Sequence, residues 1–158
     1  MRVSFQKLWN SHPAVHGENH PCKNSNGAPT YQSQCAIKLS IALAAAGVNM
    51  RLFHGRKCHQ HGHPVHALGA QQLAGWLAHT GVLGRPHKFK RGKNDNKFIF
   101  GEATLRGIQK KKGVVFFMNF WGDHNQGDHI DVWDGQKMGH GQFNYFERSQ
   151  QVWFWEIK

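Results

Sequence analysis

Three cysteines, Cys22, Cys35 and Cys58, stand among thirteen histidines in this chain. A thiol attacks only as its thiolate, so where each cysteine sits matters more than how many there are. Cys35 lies where a helix is expected to begin. Ser33 is a good N-cap, Gly47 a good stop, and Ile37, Ile41 and Ala45 recur at helical spacing beside Leu39 and Leu43. With Ser33 as the cap, Gln34 and Cys35 take the first two helical positions. The unpaired N–H groups and positive dipole end there favour a thiolate, and the same N–H groups could hold the oxyanion formed when a carbonyl is attacked. Without a base, such a cysteine is simply a small buried hydrophobe.

A base is available near the other end of the chain. Asp128-His129-Ile130-Asp131-Val132-Trp133 alternates polar and apolar, the mark of a strand with one face in the core. Asp134-Gly135 is a strong two-residue turn signal, which predicts that Trp133 faces Gln136 and that His129 lies directly opposite His140. Asp131 shares the face of His129, two residues along. Cys35 as nucleophile, His129 as base, and His140 or Asp131 as the group that orients the ring together make the constellation of a cysteine hydrolase.

The elements that must position these residues are legible in outline. A short helix through Phe5, Leu8 and Trp9 follows Ser4, and residues 16–33 read as loop. The Cys35 helix spans Gln34–Ala46 and is apolar on nearly every side, as a core helix is. A His- and Gly-rich connection covers 54–66, and a second long helix Leu68–Thr80 stops at Gly81. A basic loop and a helix over about Glu102–Lys112 come next, the latter with its acid in front and its lysines behind. Strands are expected over Val114–Trp121, Asp128–Trp133 and Gln151–Ile157, with a turn over Gly122–Gly127. Helices first and an antiparallel sheet last make an α+β fold, in one domain covering 1–158.

Composition narrows the classes. At 158 residues the chain is long enough for a real core, and 39% hydrophobic content excludes a disordered basic tail. No apolar run approaches the length of a membrane span, and the polar start Met1–Trp9 does not resemble a secretory signal. Twenty Lys+Arg against nine Asp+Glu give +11, a field that draws acidic polymers. Arg85, Lys88, Lys90, Arg91, Lys93 and Lys97 concentrate that charge in what reads as a solvated surface loop, and no RNA-binding or helix-turn-helix pattern accompanies them.

Several segments resemble one family. Ser33-Gln34-Cys35-Ala36-Ile37-Lys38-Leu39-Ser40 is similar to the nucleophile segment of the type VI secretion amidase effectors, family four. Gly127-Asp128-His129-Ile130-Asp131-Val132-Trp133 resembles that family's histidine strand. His66-Ala67-Leu68, Gln71–Leu77 and Val152-Trp153-Phe154-Trp155 are similar to its other blocks. The resemblance implies a papain-like fold of the NlpC/P60 type, with a Cys-bearing helix packed on an antiparallel sheet. It implies hydrolysis of the bond between γ-D-glutamate and meso-diaminopimelate in peptidoglycan stem peptides, with no cofactor and no metal. It also implies an antibacterial toxin made in the cytoplasm, delivered to a target cell's periplasm through type VI secretion components, and countered by a cognate immunity protein. The family's third catalytic residue is usually an Asp eleven positions after the histidine, where this chain carries His140. Related NlpC/P60 enzymes commonly use His in that role, so His140 is expected to hold the ring, with Asp131 competing for the task.

Other readings rest on residues this one leaves over. Cys58, His59, His61, His63 and His66 are the densest ligand-like cluster, though their spacing matches no standard zinc motif. With the basic charge they suggest a metal-dependent nuclease or a basic nucleic-acid-binding module as the alternative. A basic module that binds cell wall or acidic protein without catalysis is a third reading. Cys22 and Cys58 could pair as a disulfide in an oxidising compartment.

Overall fold

A helix that is apolar on nearly every side has to be largely buried, and helix α2, Cys35–Ala45, is, apart from Ala44 and Ala45 at its end. Ala36, Ile37, Leu39, Ala42 and Leu43 are all buried. Its one small polar core residue, Ser40, is satisfied twice: Oγ donates to the Ala36 carbonyl at 2.6 Å and accepts the Ala67 N–H at 2.9 Å. The computed structural model describes residues 2–60, 62–121 and 127–158.

Helix α1, Phe5–Ser11, capped by Ser4, and helix α3, Ala70–Thr80, ended by Gly81 at φ +67°, pack around α2. Behind them stands a four-stranded antiparallel sheet of β1 (His87–Lys90), β2 (Gly113–Trp121), β3 (Gly127–Trp133) and β4 (Gln151–Glu156), in the order β1-β4-β2-β3. Val114, Phe116, Ile130, Val132 and Trp155 face α1–α3 and form one core with them. The opposite face presents Val115, Phe117, Trp133, Val152 and Phe154 to α4 (Lys97–Ile108) and the short α5 (Asn144–Arg148). The sheet is thus covered on both sides, with β3 as a free edge.

Four expectations shift. The basic loop contains β1, a short Lys-rich edge strand whose Lys88 lies over the Trp153 ring at 4.0 Å; alternating charge blunts such an edge against further pairing. Helix α4 starts at Lys97 rather than Glu102, because the Asn96 side chain accepts the Phe98 and Ile99 N–H groups. It ends at Ile108, and Lys110 at φ +65° turns the chain out, so the expected lysine tail follows the helix. The two-residue turn forms one residue later than expected, over Gly135-Gln136. Asp134 Oδ1 accepts from both Gln136 and Lys137 N–H at 2.8 Å, and the Asp134 N–H donates to the Lys137 carbonyl at 3.0 Å, so that Trp133 bridges to Met138. The chain then leaves the sheet through Gly139 and Gly141 instead of running on as a strand opposite β3. Of the turn expected over Gly122–Gly127, Gly127 opens β3 and residues 122–126 lie outside the described residues.

Candidate active site

Cys35 is the first residue of α2, with Gln34 at the cap position. Ser33 is not the cap, and Gln34 supplies no capping side chain because its carboxamide works elsewhere. Its Oε1 accepts the Cys22 N–H at 2.8 Å, while Nε2 donates to the carbonyls of Cys22 at 2.9 Å and Tyr31 at 3.0 Å. Among the described residues no side chain caps the helix start, which leaves its first-turn N–H groups to an incoming oxyanion.

The start of α2 meets the free edge of β3. His129 and Asp131 project from the same face of that strand and are buried, at 7% and 1% exposure. His129 Nε2 lies 2.9 Å from Asp131 Oδ2. That leaves Nδ1 for Cys35, whose thiol hydrogen-bonds the imidazole and also receives the Ile130 N–H from the sheet edge. Phe117, stacked at 6.2 Å, and Tyr145, edge-on at 5.2 Å, hold the plane of the His129 ring.

The electrostatics follow from this geometry. Burial pushes the Cys35 thiol up, but the His129 hydrogen bond and charge, with the Ile130 N–H, bring it below its ordinary value. Burial alone would lower His129. Its bonds to Asp131 and Cys35 overcome that and raise it to about 10. For Asp131 burial is again opposed and outweighed by His129, so its carboxyl is held below the usual range. These shifts all favour a thiolate–imidazolium pair with a carboxylate behind it.

His140 takes a different place from the one expected. The shifted turn moves the register by two residues, setting His140 beside Asp131 rather than opposite His129. It presents its backbone N–H to Asp131 Oδ2 at 2.8 Å, and its ring is exposed at the rim. The structure therefore brings Cys35, His129 and Asp131 together and puts Asp131, not the His140 ring, against the imidazole.

Two further residues belong to the site. His12, just past α1, is fully buried. Its Nδ1 accepts the Ala14 N–H at 3.3 Å, so Nε2 carries the proton and faces Asp131 Oδ1 at 3.5 Å. Burial, only partly offset by Asp131, lowers His12 to about 4 and keeps it neutral. Lys38, one turn after Cys35, is 4% exposed, and burial depresses its pKa despite the attraction of Asp131. Its spacing of three from Cys35 is a signal that could have been read; nothing local marks His12. Gly139 leaves room for Asp131 and His12: a Cβ there would come within 2.7 Å of Asp131 Oδ1 and 3.2 Å of His12 Nδ1.

A cleft of about 300 Å³ opens over this group, lined among others by Gln34, Cys35, Lys38, His129, His140 and Tyr145. A larger one, about 620 Å³, lies around Arg2, Gly81–Gly84 and Glu156–Lys158, away from the cysteine and histidine.

A model of the family described as type VI secretion system (T6SS), amidase effector protein 4 (Tae4), matches residues 31–155. The chain belongs to that family. Among solved structures, the effector of the Tae4/Tai4 effector–immunity system from Salmonella typhimurium is similar at a TM-score of 0.71 and 18% identity, with 100% of both chains covered. Tae4 from Enterobacter cloacae is similar at 0.70 and 16%, covering 100% of this chain and 98% of that one. Salmonella Tae4 in complex with the immunity protein Tai4 from Enterobacter cloacae matches at 0.69 and 18%, over 99% and 100%. Such likeness establishes the fold, an α+β papain-like one. No curated protein matches at a significant level. As a Tae4 member the chain is an amidase effector of type VI secretion, a hydrolase acting on peptidoglycan.

Proposed function

We propose that residues 1–158 act as one catalytic domain that cleaves stem peptides between γ-D-glutamate and meso-diaminopimelate, with Cys35 as nucleophile, His129 as general base and acid, and Asp131 as the group orienting His129. What carries this reading is the buried line from the Cys35 thiol through the His129 imidazole to Asp131 Oδ2, 2.9 Å from the ring. The sulfur forms a bond to the γ-carbonyl carbon of D-glutamate, and the oxyanion is held at the start of α2. His129 gives its proton to the departing diaminopimelate amine, leaving a thioester. It then takes a proton from water, whose attack releases the acid and restores the thiolate. Lys38, lining the cleft one turn beyond the nucleophile, offers a cation for a stem carboxylate.

Relatives of similar fold were solved with an immunity protein, and this chain is read as having a cognate one of its own. The substrate places its action in the target cell's periplasm. Digestion of purified peptidoglycan with wild type and Cys35→Ala, followed by mass analysis, tests the proposal. Stem fragments newly ended at D-glutamate and at the diaminopimelate amine are expected from the wild type only. Cleavage at another bond, or equal cleavage by both proteins, overturns it.

A further inference from the structure

The histidine-rich connection has no part in that chemistry, yet the fold gathers it into a cluster. Cys22, from the first loop, meets Cys58, His63 and His66 from the second, with a ligand atom of each within 4.8 Å of every other. His59 is exposed and stands outside the cluster, and His61 lies outside the described residues. The two sulfurs are 3.6 Å apart, and His63 Nδ1 is 3.4 Å from Cys22 Sγ and 3.5 Å from Cys58 Sγ. Tetrahedral zinc, with bonds of about 2.3 Å to sulfur and about 2.0–2.1 Å to nitrogen, has edges of about 3.8 Å between sulfurs and about 3.6 Å from sulfur to nitrogen. Three measured edges agree with that figure.

The fourth corner falls to His66. Its side chain is 4% exposed, and its Nδ1 is buried without a hydrogen-bond partner. A buried nitrogen without a partner is costly, and a metal ion would satisfy it. Closing from at most 4.8 Å to a tetrahedral edge needs a ring movement on the order of 1 Å.

The backbone already holds the donors in place. The Cys58 N–H donates to the His66 carbonyl at 3.0 Å, and Lys57 bridges to Ala67, so Cys58 and His66 flank the neck of one short loop. Gly62, at φ +80°, makes the turn that brings His63 back. The Gln60 N–H points at Cys58 Sγ from 3.5 Å. Across the cluster, Cys22 is fixed by its carbonyl bonds to Thr30 and Gln34.

We propose that Cys22, Cys58, His63 and His66 bind one Zn²⁺ as a closed Cys2His2 site. Binding releases the two thiol protons, and the two thiolates balance the charge of the ion. Four protein ligands leave no position for a reactive water, so the site is structural and is not the centre of a zinc nuclease. It clasps the 16–33 loop to the 54–69 connection. Through the Cys22–Gln34 bonds it also steadies the residue just before Cys35. Cys22, 36 residues from Cys58, supplies the ligand that the local spacing lacked.

The test is independent of the catalytic assignment. The full chain is purified from a reducing cytoplasm, and its zinc is measured by elemental mass spectrometry. About one zinc per chain is expected in wild type and in Cys35→Ala, and below about a tenth in Cys22→Ser/Cys58→Ser. Because the double variant can fail to fold, wild type stripped of metal is also titrated with Co²⁺. Intense visible bands of tetrahedral cobalt, with thiolate-to-cobalt charge transfer at one equivalent, are expected. Three results overturn the proposal: a zinc-free wild type lighter by two hydrogens, which is a Cys22–Cys58 disulfide; zinc lost in Cys35→Ala but kept in the double variant; or a weak octahedral cobalt spectrum.

Discussion

Asp131→Asn separates the roles of Asp131 and His140. The carboxylate receives three short bonds: Oδ2 from His129 Nε2 at 2.9 Å and the His140 N–H at 2.8 Å, and Oδ1 from the Val132 N–H at 2.7 Å. An amide has only one oxygen. If it stays toward His129, its NH2 confronts the Val132 N–H. If it turns, the NH2 faces His129 Nε2 and forces the ring proton onto Nδ1, the nitrogen that must accept from Cys35. In either case the imidazolium loses its counter-charge in a buried place. Breaking such a pair costs about 3–5 kcal/mol of stability. Loss of the orienting carboxylate should raise the barrier by about 4–5 kcal/mol, a roughly thousand- to ten-thousandfold fall in kcat. His140→Ala keeps the backbone N–H that Asp131 uses, so its kcat should stay within about tenfold of wild type, or about 1.4 kcal/mol. Both are measured as amine release from a soluble stem peptide, with folding checked by circular dichroism. An Asp131→Asn enzyme within tenfold of wild type, beside a far slower His140→Ala enzyme, would refute the reasoning.

Gly139→Ala places a methyl 2.7 Å from Asp131 Oδ1, and should displace the carboxylate, lowering kcat while costing about 1–3 kcal/mol of stability; unchanged kinetics would show that the carboxylate has room. His12 titrates near about 4 when folded against an ordinary 6.5. As pH falls the unfolded chain takes up its proton first, so stability complete above about 6.5 should drop by about 3 kcal/mol by about pH 4. Urea unfolding of wild type and His12→Gln across that range checks this, since the variant should lack that part of the slope. With a charge of +11, sedimentation with peptidoglycan should weaken steeply as salt rises, and salt-independent binding would remove electrostatics from the association.

The sequence announces what is local and periodic. The buried helix of Cys35, the apolar β2 and the alternation that puts His129 and Asp131 on one face could each be read within a dozen residues. β1 could not, because His87, Lys88 and Lys90 look like solvent-facing loop until Trp153 and Phe154 are set beside them. The hairpin register depended on Asp134 capping two N–H groups instead of one, a choice that decides whether His140 sits opposite His129 or alongside Asp131. His12 and Cys22 reach their clusters only through tertiary folding, from loops with no periodic signal. Long-range placement of single polar residues is what a pattern of hydrophobicity does not encode.

The central claim is that His129 holds the Cys35 sulfur as a thiolate, and the pH dependence of iodoacetamide labelling at Cys35, resolved by peptide mass mapping, tests it most directly. In wild type the labelling midpoint should lie below the ordinary thiol value of 9.0. In His129→Ala burial and the Asp131 charge are opposed only by the Ile130 N–H, and should carry it above that value. Identical midpoints in the two proteins, at or above the ordinary value, would contradict the account.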